Sequence, residues 1–390
     1  MSELLESRWQ ETKEALLEGL NGTRRTVMAT TLENTRKYLS ESATAGATSA
    51  GNVATLNRVI LPVIRRVMPT VIANELVGVQ PMTGPVGQIH TLRVRYADSA
   101  AGVTAGDEAF SPFKIASAYS GNAPGSSSTL AAAAATAALE GVAGKRMSIQ
   151  ILKQTVEAKT RKLSARWTFE AAQDAQAQQG IDIEAEIMAA LAQEITAEID
   201  QEVIGSLNSL AGTVLTYDQN SVSGTATFVG DEHAALAVQI NRASNLIAQR
   251  TRRGAGNYAV VSPTTLTLLQ SATTSAFART TEGTFEAPTN TKFVGTLNGA
   301  MRVFVNTYAT SDDVLIGYKG SSESDAPAFY CPYIPLMSSG VVLDPSTFEP
   351  VVSFMTRYGY VELTNTASSL GNAADYLAKV AVTTANLKFA

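Results

Sequence analysis

The stretch that decides the fold is DIEAEIMAALAQEITAEIDQEVIGSL, residues 182–207, in which apolar side chains recur at every fourth position. The repeating residues are Ile183, Ile187, Leu191, Ile195, Ile199, Val203 and Leu207. This spacing predicts one helix, roughly 39 Å long at about 1.5 Å per residue. A four-residue repeat advances about 40° beyond each full turn, so the apolar stripe winds around the helix. We therefore expect a spine that packs against different neighbours along its length.

Upstream of this helix, two alternating stretches flank a long run of small residues. Residues 88–96 and 146–169 alternate apolar and polar side chains, and both patterns predict strands. Between them, 97–145 is rich in Ala, Ser, Gly and Thr and has little to bury. Because a loop of this length is unusual inside a compact domain, we expect an extended β-arm that leaves the body of the subunit.

In the N-terminal region, apolar residues near helical spacing predict two short helices over residues 2–40, separated by Asn21-Gly22. A linker of small residues follows over 42–52. Both a mobile tail and an arm or pro-segment that docks on other chains fit this pattern. Charged residues interrupt the first twenty positions, so we expect no signal peptide. No run of about 18 apolar residues exists, so we expect no membrane span.

Downstream of the spine, residues 212–350 alternate helical and strand patterns and predict an α/β block. Asp231 is assigned as the N-cap of a helix that carries Leu236, Ile240 and Ile247 on one face. Strands are predicted over five segments: 257–261, 300–306, 313–318, 340–343 and 350–362. The segment after Thr364 is weakly patterned.

Composition and charge fit a protein with a sizeable core. A chain of 390 residues is too long for one simple core, so two or more sub-domains are expected, and a hydrophobic share of 45% is enough to bury a core. The net charge is -5, so the chain lacks the excess of positive charge with which a dedicated duplex-DNA binder neutralises phosphates. Cys331 is the only cysteine, so no intrachain disulfide can form, and its apolar neighbours suggest a buried, inert thiol.

No group of residues indicates catalysis, a cofactor or a metal. His90 and His233 are the only histidines, and with one cysteine they do not make a recognisable zinc ligand set. The phosphate-binding loop, the nucleophile elbow and the HExxH metalloprotease pattern do not occur. Asp312-Asp313 precedes a strand and is typical of a turn. We expect a protein that is not an enzyme and has no cofactor.

Several strings, in a fixed order, stand out between residues 50 and 362. They are Gly78-Val79-Gln80-Pro81-Met82 with Gly84-Pro85-Val86-Gly87-Gln88, Val156 to Leu163, Gly180 to Glu202, Gly317-Tyr318-Lys319-Gly320 to Leu336, and Thr356-Arg357-Tyr358-Gly359. Together they resemble the T4-type major capsid proteins of tailed bacteriophages, and they follow that family's order.

The resemblance implies an α+β chain with the HK97-like capsid fold. The segments it implies are an N-terminal arm (1–77), an extended loop with peripheral-domain strands (78–169), a spine-helix region (170–211), an axial domain (212–330), returning peripheral strands (331–363) and a C-terminal tail (364–390). Two departures stand out. The stretch 97–145 is reduced where relatives often carry a compact insertion domain. The tail extends past the family's usual end, either as a further strand or as a clasp on a neighbour.

The function implied by the resemblance is a major capsid protein that self-assembles into hexamers and pentamers of an icosahedral shell around double-stranded DNA. Its place would be the virion, after assembly in the host bacterial cytoplasm. Its partners would be other copies of itself, together with vertex, portal, scaffold and decoration proteins. Neither a membrane nor sequence-specific DNA contact is expected.

Two other functions compete with this one. An encapsulin-like host nanocompartment shell protein would need a cargo-binding pocket and would not share the T4-type strings. An enzyme or sugar-binding surface protein would need clustered carboxylates or an aromatic platform, whereas aromatic residues are only 7% and scattered.

Candidate residues for contacts between subunits are Arg65, Arg66, Arg161, Lys162 and Arg357. The alternative for these cations is solvated surface charge, which contributes little per residue.

Processing is a separate possibility raised by the resemblance, since T4-type capsid proteins lose an N-terminal segment by cleavage after Glu in a Leu-x-Glu or Ile-x-Glu pattern. Leu39-Ser40-Glu41 matches this pattern, which makes Glu41 the candidate cleavage residue. Leu4-Leu5-Glu6 and Leu16-Leu17-Glu18 match it as well. We expect the arm to be retained as an inner-surface clasp between subunits.

Overall fold

The structure is a computed structural model that describes most of the chain. The described residues are 9–10, 13–14, 16–17, 20, 22, 24–34, 71–100, 103–107, 109, 119–120, 136–141, 143–179, 182–212, 214–221, 229–251, 253–272, 277–279, 292–347, 349–364 and 372–387. They mix helices with strands, which confirms the predicted α+β class.

The secondary structure is numbered here in chain order. The strands are β1 (Gly78–Val79), β2 (Val86–Tyr96), β3 (Met147–Glu157), β4 (Lys159–Arg166), β5 (Val214–Tyr217), β6 (Tyr258–Val261), β7 (Phe277–Arg279), β8 (Lys292–Leu297), β9 (Met301–Val305), β10 (Val314–Gly317), β11 (Ala328–Ser338), β12 (Val342–Leu343), β13 (Pro350–Glu362) and β14 (Leu377–Val382). The helices are α1 (24–34), α2 (Ala73–Leu76), α3 (Thr136–Leu139), α4 (Phe169–Gln179), α5 (Ile183–Leu210), α6 (Val229–Thr251) and α7 (Pro263–Ser271).

The chain divides into two compact units, each assembled from three separate segments. Unit 1 comprises Met1–Gly87, Val156–Ser206 and Ala328–Val361, and unit 2 comprises Gln88–Thr155, Leu207–Pro327 and Glu362–Ala390. Each unit therefore forms only when segments far apart in the sequence come together.

Unit 1 is built on a sheet in the order β1-β11-β13-β12, with β4 also paired to β13. Alternate residues of β13 are buried, as expected for a strand with two different faces. On the buried side are Val352, Phe354, Thr356 and Tyr358. The strand predicted over 350–362 is confirmed at both ends.

Helix α5 confirms the spine predicted over 182–207 and continues three residues further, to Leu210. Its apolar stripe is buried from Leu191 onward, whereas Ile183 and Ile187 are only partly covered. Asp200, with 0% of its surface exposed, accepts a hydrogen bond from the Ile72 backbone N–H at 2.9 Å. This bond ties the middle of the helix to the turn that precedes α2.

Unit 2 contains a seven-stranded sheet, within the described residues, in the order β5-β14-β10-β6-β9-β8-β7. Leu236, Ile240 and Ile247 of α6 pack in its core, as the sequence predicted. The helix begins at Val229, so Asp231 lies in the first turn and is not the N-cap that we expected. Helix α7 begins after Ser262, whose hydroxyl accepts the Thr265 N–H at 3.1 Å.

Strand β14 comes from the segment predicted as a C-terminal tail. It pairs parallel with β5 and antiparallel with β10, so it lies inside the sheet and not at an edge. Lys379 also forms an ion pair with Asp313 at 3.1 Å. Of the two alternatives for this segment, a further strand is the one observed.

Strands β2 and β3 pair as a separate two-stranded ribbon. The alternating stretch 146–169 divides into β3, β4 and the start of α4, and is not one strand. Beyond the ribbon, Tyr96, Val103, Ala109 and Tyr119 form a small cluster, with the two tyrosine rings 4.6 Å apart. The expectation that 97–145 has little to bury is therefore wrong for this part of it.

Candidate functional site

The three predicted interface cations that fall within the described residues lie on two paired strands of unit 1. Arg161 and Lys162 are in β4 and Arg357 is in β13. Arg65, Arg66 and the candidate cleavage residue Glu41 lie outside the described residues.

The register of β4 against β13 separates these cations onto opposite faces of the sheet. Arg161 is paired with Thr356, whereas Lys162 is paired with Met355 and Arg357 with Thr160. Paired residues share a face and neighbours along a strand alternate. One face carries Arg161 with Thr356 and Tyr358, and we call it the helix face because Arg161 contacts α5 there. The opposite face carries Lys162 and Arg357.

On the helix face, Arg161 joins the sheet to α5. Its Nη1 donates to Glu198 Oε2 at 2.6 Å and its Nη2 to Glu202 Oε2 at 2.5 Å. Its Nε donates to Tyr358 Oη at 2.6 Å, and that hydroxyl donates in turn to Glu202. The guanidinium thus holds two carboxylates one helical turn apart.

The protonation states of this network favour charged Arg161 and Glu202. Burial opposes both charges, but hydrogen bonds to Glu202 and Tyr358 raise the pKa of Arg161, and hydrogen bonds from Arg161 and Tyr358 lower the pKa of Glu202. Burial, together with the hydrogen bond to Glu202, raises the pKa of Tyr358. The contacts of Arg161 that the structure describes are made within its own chain, and its role between subunits stays a prediction.

On the opposite face, Lys162 and Arg357 lack such partners. Lys162 is exposed and forms no ion pair with any described residue. The Arg357 guanidinium lies 5.4 Å from the centre of the Tyr333 ring, and its Nε is buried without a hydrogen-bond partner among the described residues. Lys162 is a diagonal neighbour of Arg357, at a Cα separation of about 7–8 Å.

A long acidic segment could balance these cations. It contains no positively charged residue, and this feature was missed in the sequence. Residues 167–241 contain no Lys or Arg. Their acidic residues are Glu170, Asp174, Asp182, Glu184, Glu186, Glu194, Glu198, Asp200, Glu202, Asp218, Asp231 and Glu232. Counting charge by segment, as well as over the whole chain, would have found it.

A second feature is the apolar surface of the ribbon. Met147, Ile149 and Ile151 alternate along one side of β3 and are 48%, 67% and 65% exposed. Apolar side chains this exposed, and in a row, mark surfaces that other molecules cover.

Unit 1 has an apolar groove of its own. It has a volume of about 390 Å³ and its apolar lining includes Trp167, Phe169, Ile183, Leu343 and Pro350. Asp182 and Glu184 supply its charged groups.

The chemistry of a catalytic or metal site is not found in the described part of the chain. No three His, Cys, Asp or Glu residues there come together in a way that could hold a metal ion. His233 Nδ1 lies 2.7 Å from Ser271 Oγ, and burial lowers the pKa of this histidine. Cys331 is buried, as predicted, and burial raises the pKa of its thiol to about 12. Nor is any described helix long and apolar enough to cross a membrane.

Several glycines in the strings that carry the family resemblance lie too close to other residues to be replaced by a larger residue. A Cβ on Gly317 would lie 2.2 Å from the Tyr258 ring, and one on Gly320 would lie 2.3 Å from Asp325. A Cβ on Gly359 would lie 2.4 Å from Val156. Side chains essentially never come this close, so these glycines are needed for packing within the subunit.

Comparison with known proteins gives matches along most of the chain. The family model for the major capsid protein Gp23 matches residues 53–382. The major capsid protein of Vibrio phage KVP40 is 31% identical, over 85% of this chain and 82% of that protein. The one from Enterobacteria phage T4 is 30% identical, over 83% of this chain and 78% of that protein.

Two solved structures show a weaker similarity to this chain. A chain from Microbacterium phage Oxtober96 is 11% identical with a TM-score of 0.49, and covers 80% of this chain and 90% of its own length. The capsid of Myoviridae phage XM1 gives 10% identity and a TM-score of 0.45, over 80% of this chain and 92% of its own length.

Proposed function

The chain belongs to the Gp23 family of phage major capsid proteins, and from this membership we propose that it assembles into hexamers and pentamers of an icosahedral shell around double-stranded DNA. The resemblance to T4-type capsid proteins is confirmed by the match over residues 53–382. The protein is a structural component of the virion shell. Because both the family and the relatives are phage capsid proteins, the encapsulin-like alternative is not supported.

The observation that best supports assembly through this subunit is the exposed apolar side of β3. A two-stranded ribbon is marginal by itself in water, and Ile149 and Ile151 are each about two-thirds exposed (67% and 65%). A neighbouring copy that covers these side chains would stabilise the ribbon by removing apolar surface from water. The apolar groove of unit 1, with Trp167 and Leu343, is the surface we propose for this contact.

A ribbon variant tests this contact. We expect Ile149→Asp with Ile151→Asp to change the urea midpoint of the isolated subunit only slightly, since about two-thirds of each side chain is already in water. Negative-stain microscopy should show shells or open sheets for the unaltered protein and discrete particles for the variant.

Ser148 provides the matched control, since it is exposed on the same strand but on the other side of it. Ser148→Asp adds charge without removing the apolar row and should assemble normally. Normal shells from the double isoleucine variant would rule out this contact, and an unaltered chain that stays monomeric would rule out the assembly proposal itself.

The remaining parts of the proposal follow the resemblance. We assign the N-terminal arm, the extended loop, the peripheral and axial domains and the C-terminal tail to the segments given above, as in HK97-like capsid proteins. Assembly takes place in the host bacterial cytoplasm, with vertex, portal, scaffold and decoration proteins as further partners. Arg65, Arg66, Lys162 and Arg357 contact other subunits, as does Arg161 in addition to its contacts within the chain, and the arm upstream of Glu41 is retained.

A further inference from the structure

The predicted interface cations of the β4–β13 pair differ between the two faces of the sheet. Arg161 pairs with two carboxylates of α5, whereas Lys162 and Arg357 have no acidic partner among the described residues. Arg357 is only partly buried, so the guanidinium remains accessible in part, although its Nε is itself buried and has no acceptor among the described residues.

Helix α5 carries a matching excess of negative charge. Glu186, Glu194, Glu198 and Glu202 of α5 are spaced by multiples of four residues from one another and from Asp182, which directly precedes the helix, so the five form a stripe beside the apolar one. Like charges four residues apart destabilise a helix by a few tenths of a kcal/mol per pair.

Arg161 relieves this repulsion only at the C-terminal end of the stripe, where it bridges Glu198 and Glu202. The bare part of the stripe consists of Asp182, Glu186 and Glu194, all exposed and without an ion pair to any described residue. The helix dipole accounts for Glu186 in the first turn, and Asp182, just before the helix, accepts the Glu184 backbone N–H at 3.1 Å. It does not account for Glu194, which lies more than two turns further along the helix.

We propose that Lys162 and Arg357 form a docking site for a second copy of this chain, whose bare α5 stripe supplies the carboxylates. This inference rests on the proposed function and names the two surfaces that meet. Lys162 and Arg357 then bind carboxylates of another chain, as Arg161 binds carboxylates of its own chain. Because the basic site and the acidic stripe are different patches of the same subunit, the contact is head-to-tail, and such contacts generate rings when the rotation closes.

The test is a charge exchange within one chain. Lys162→Glu with Arg357→Glu reverses the basic site, and Glu186→Lys with Glu194→Lys reverses the stripe, leaving Asp182 of the apolar groove unchanged. We expect either set alone to lower the yield of assembled particles at least tenfold, since like charges would then face each other. The chain that carries both sets restores the attraction and should recover assembly, as measured by analytical ultracentrifugation and negative-stain microscopy.

Two further variants keep the test decisive. Arg166→Glu alters a charge on the same face that is already 3.8 Å from Glu349 of its own chain, and it should assemble normally. If reversal at the partly buried Arg357 unfolds the subunit, Lys162→Glu alone provides the measurement, because this side chain is exposed.

Folded reversal variants that assemble like the unaltered protein would overturn the inference, and so would a combined exchange that fails to recover. In both cases normal shells from the unaltered protein leave the proposed function standing. An unaltered protein that never assembles overturns both.

Discussion

The two faces of the β4–β13 pair carry neighbouring cations whose contacts differ. On the helix face, Arg161 is held by Glu198, Glu202 and Tyr358 of its own chain. One residue further along, on the opposite face, Lys162 has no ion pair with a described residue. A charge that is satisfied inside the subunit contributes to its folding, whereas an unsatisfied one is available to another molecule. Two mutational comparisons test whether the faces differ in this way, and a pH dependence tests the charge network on the helix face.

The largest expected difference concerns apolar packing. Phe354 is 2% exposed on the helix face, and Phe354→Ala should lower the free energy of unfolding by about 3–5 kcal/mol because it leaves a cavity. Met355, the next residue, is only partly buried on the opposite face, and Met355→Ala should cost about 1 kcal/mol. Urea unfolding of the isolated subunit, followed by circular dichroism, measures both. Equal losses would show that the opposite face is packed as tightly as the helix face.

A smaller difference is expected for the cations. Arg161→Leu removes the bridge between Glu198 and Glu202 and should cost about 1–3 kcal/mol, since it strands partly buried hydrogen-bonding groups. Lys162→Leu should change the free energy of unfolding by less than about 0.5 kcal/mol. The same urea experiment applies. A loss at Lys162 as large as that at Arg161 would mean that both cations serve the fold.

The smallest effect is a pH dependence. The pKa of Glu202 lies below its ordinary value of 4.5, so the folded state favours its ionised form. The stability that this provides is present above the ordinary value and is lost as the pH falls through the lowered pKa. Solvent screening keeps it below about 1 kcal/mol. Urea midpoints between pH 3 and 7 should fall less steeply toward acid for Glu202→Gln than for the unaltered subunit, and parallel curves would exclude this contribution.

Regular periodicity explains what could be predicted from the sequence. The spine was placed to within three residues because its apolar repeat runs without interruption from Ile183 to Leu207. Helix α4, with the sequence FEAAQDAQAQQ, was missed because it has almost no apolar side chains to show a period. Strand β14 could be offered only as one of two alternatives, because its sequence LAKVAV is apolar at every position but Lys379 and so shows little alternation.

The division between the two faces could not be predicted in the same way. Alternation along β4 shows that Arg161 and Lys162 point in opposite directions. It does not show which direction meets α5, because that depends on the pairing of Arg161 with Thr356, almost two hundred residues later. All five candidate cations were therefore treated alike, and only the register distinguishes Arg161 from Lys162 and Arg357.

The position of β14 has a consequence for the order of events during translation. Among the strands that the structure describes in its sheet, it is the last to be synthesised, yet its neighbours β5 and β10 both pair with it. While residues 377–382 are still in the ribosome, these two strands have unpaired backbone groups where β14 belongs. We therefore expect unit 2 to become protease-resistant only after this strand is released, so that chains still being made are excluded from the growing shell. Protease resistance of unit 2 in stalled chains that end before Leu377 would argue against this order.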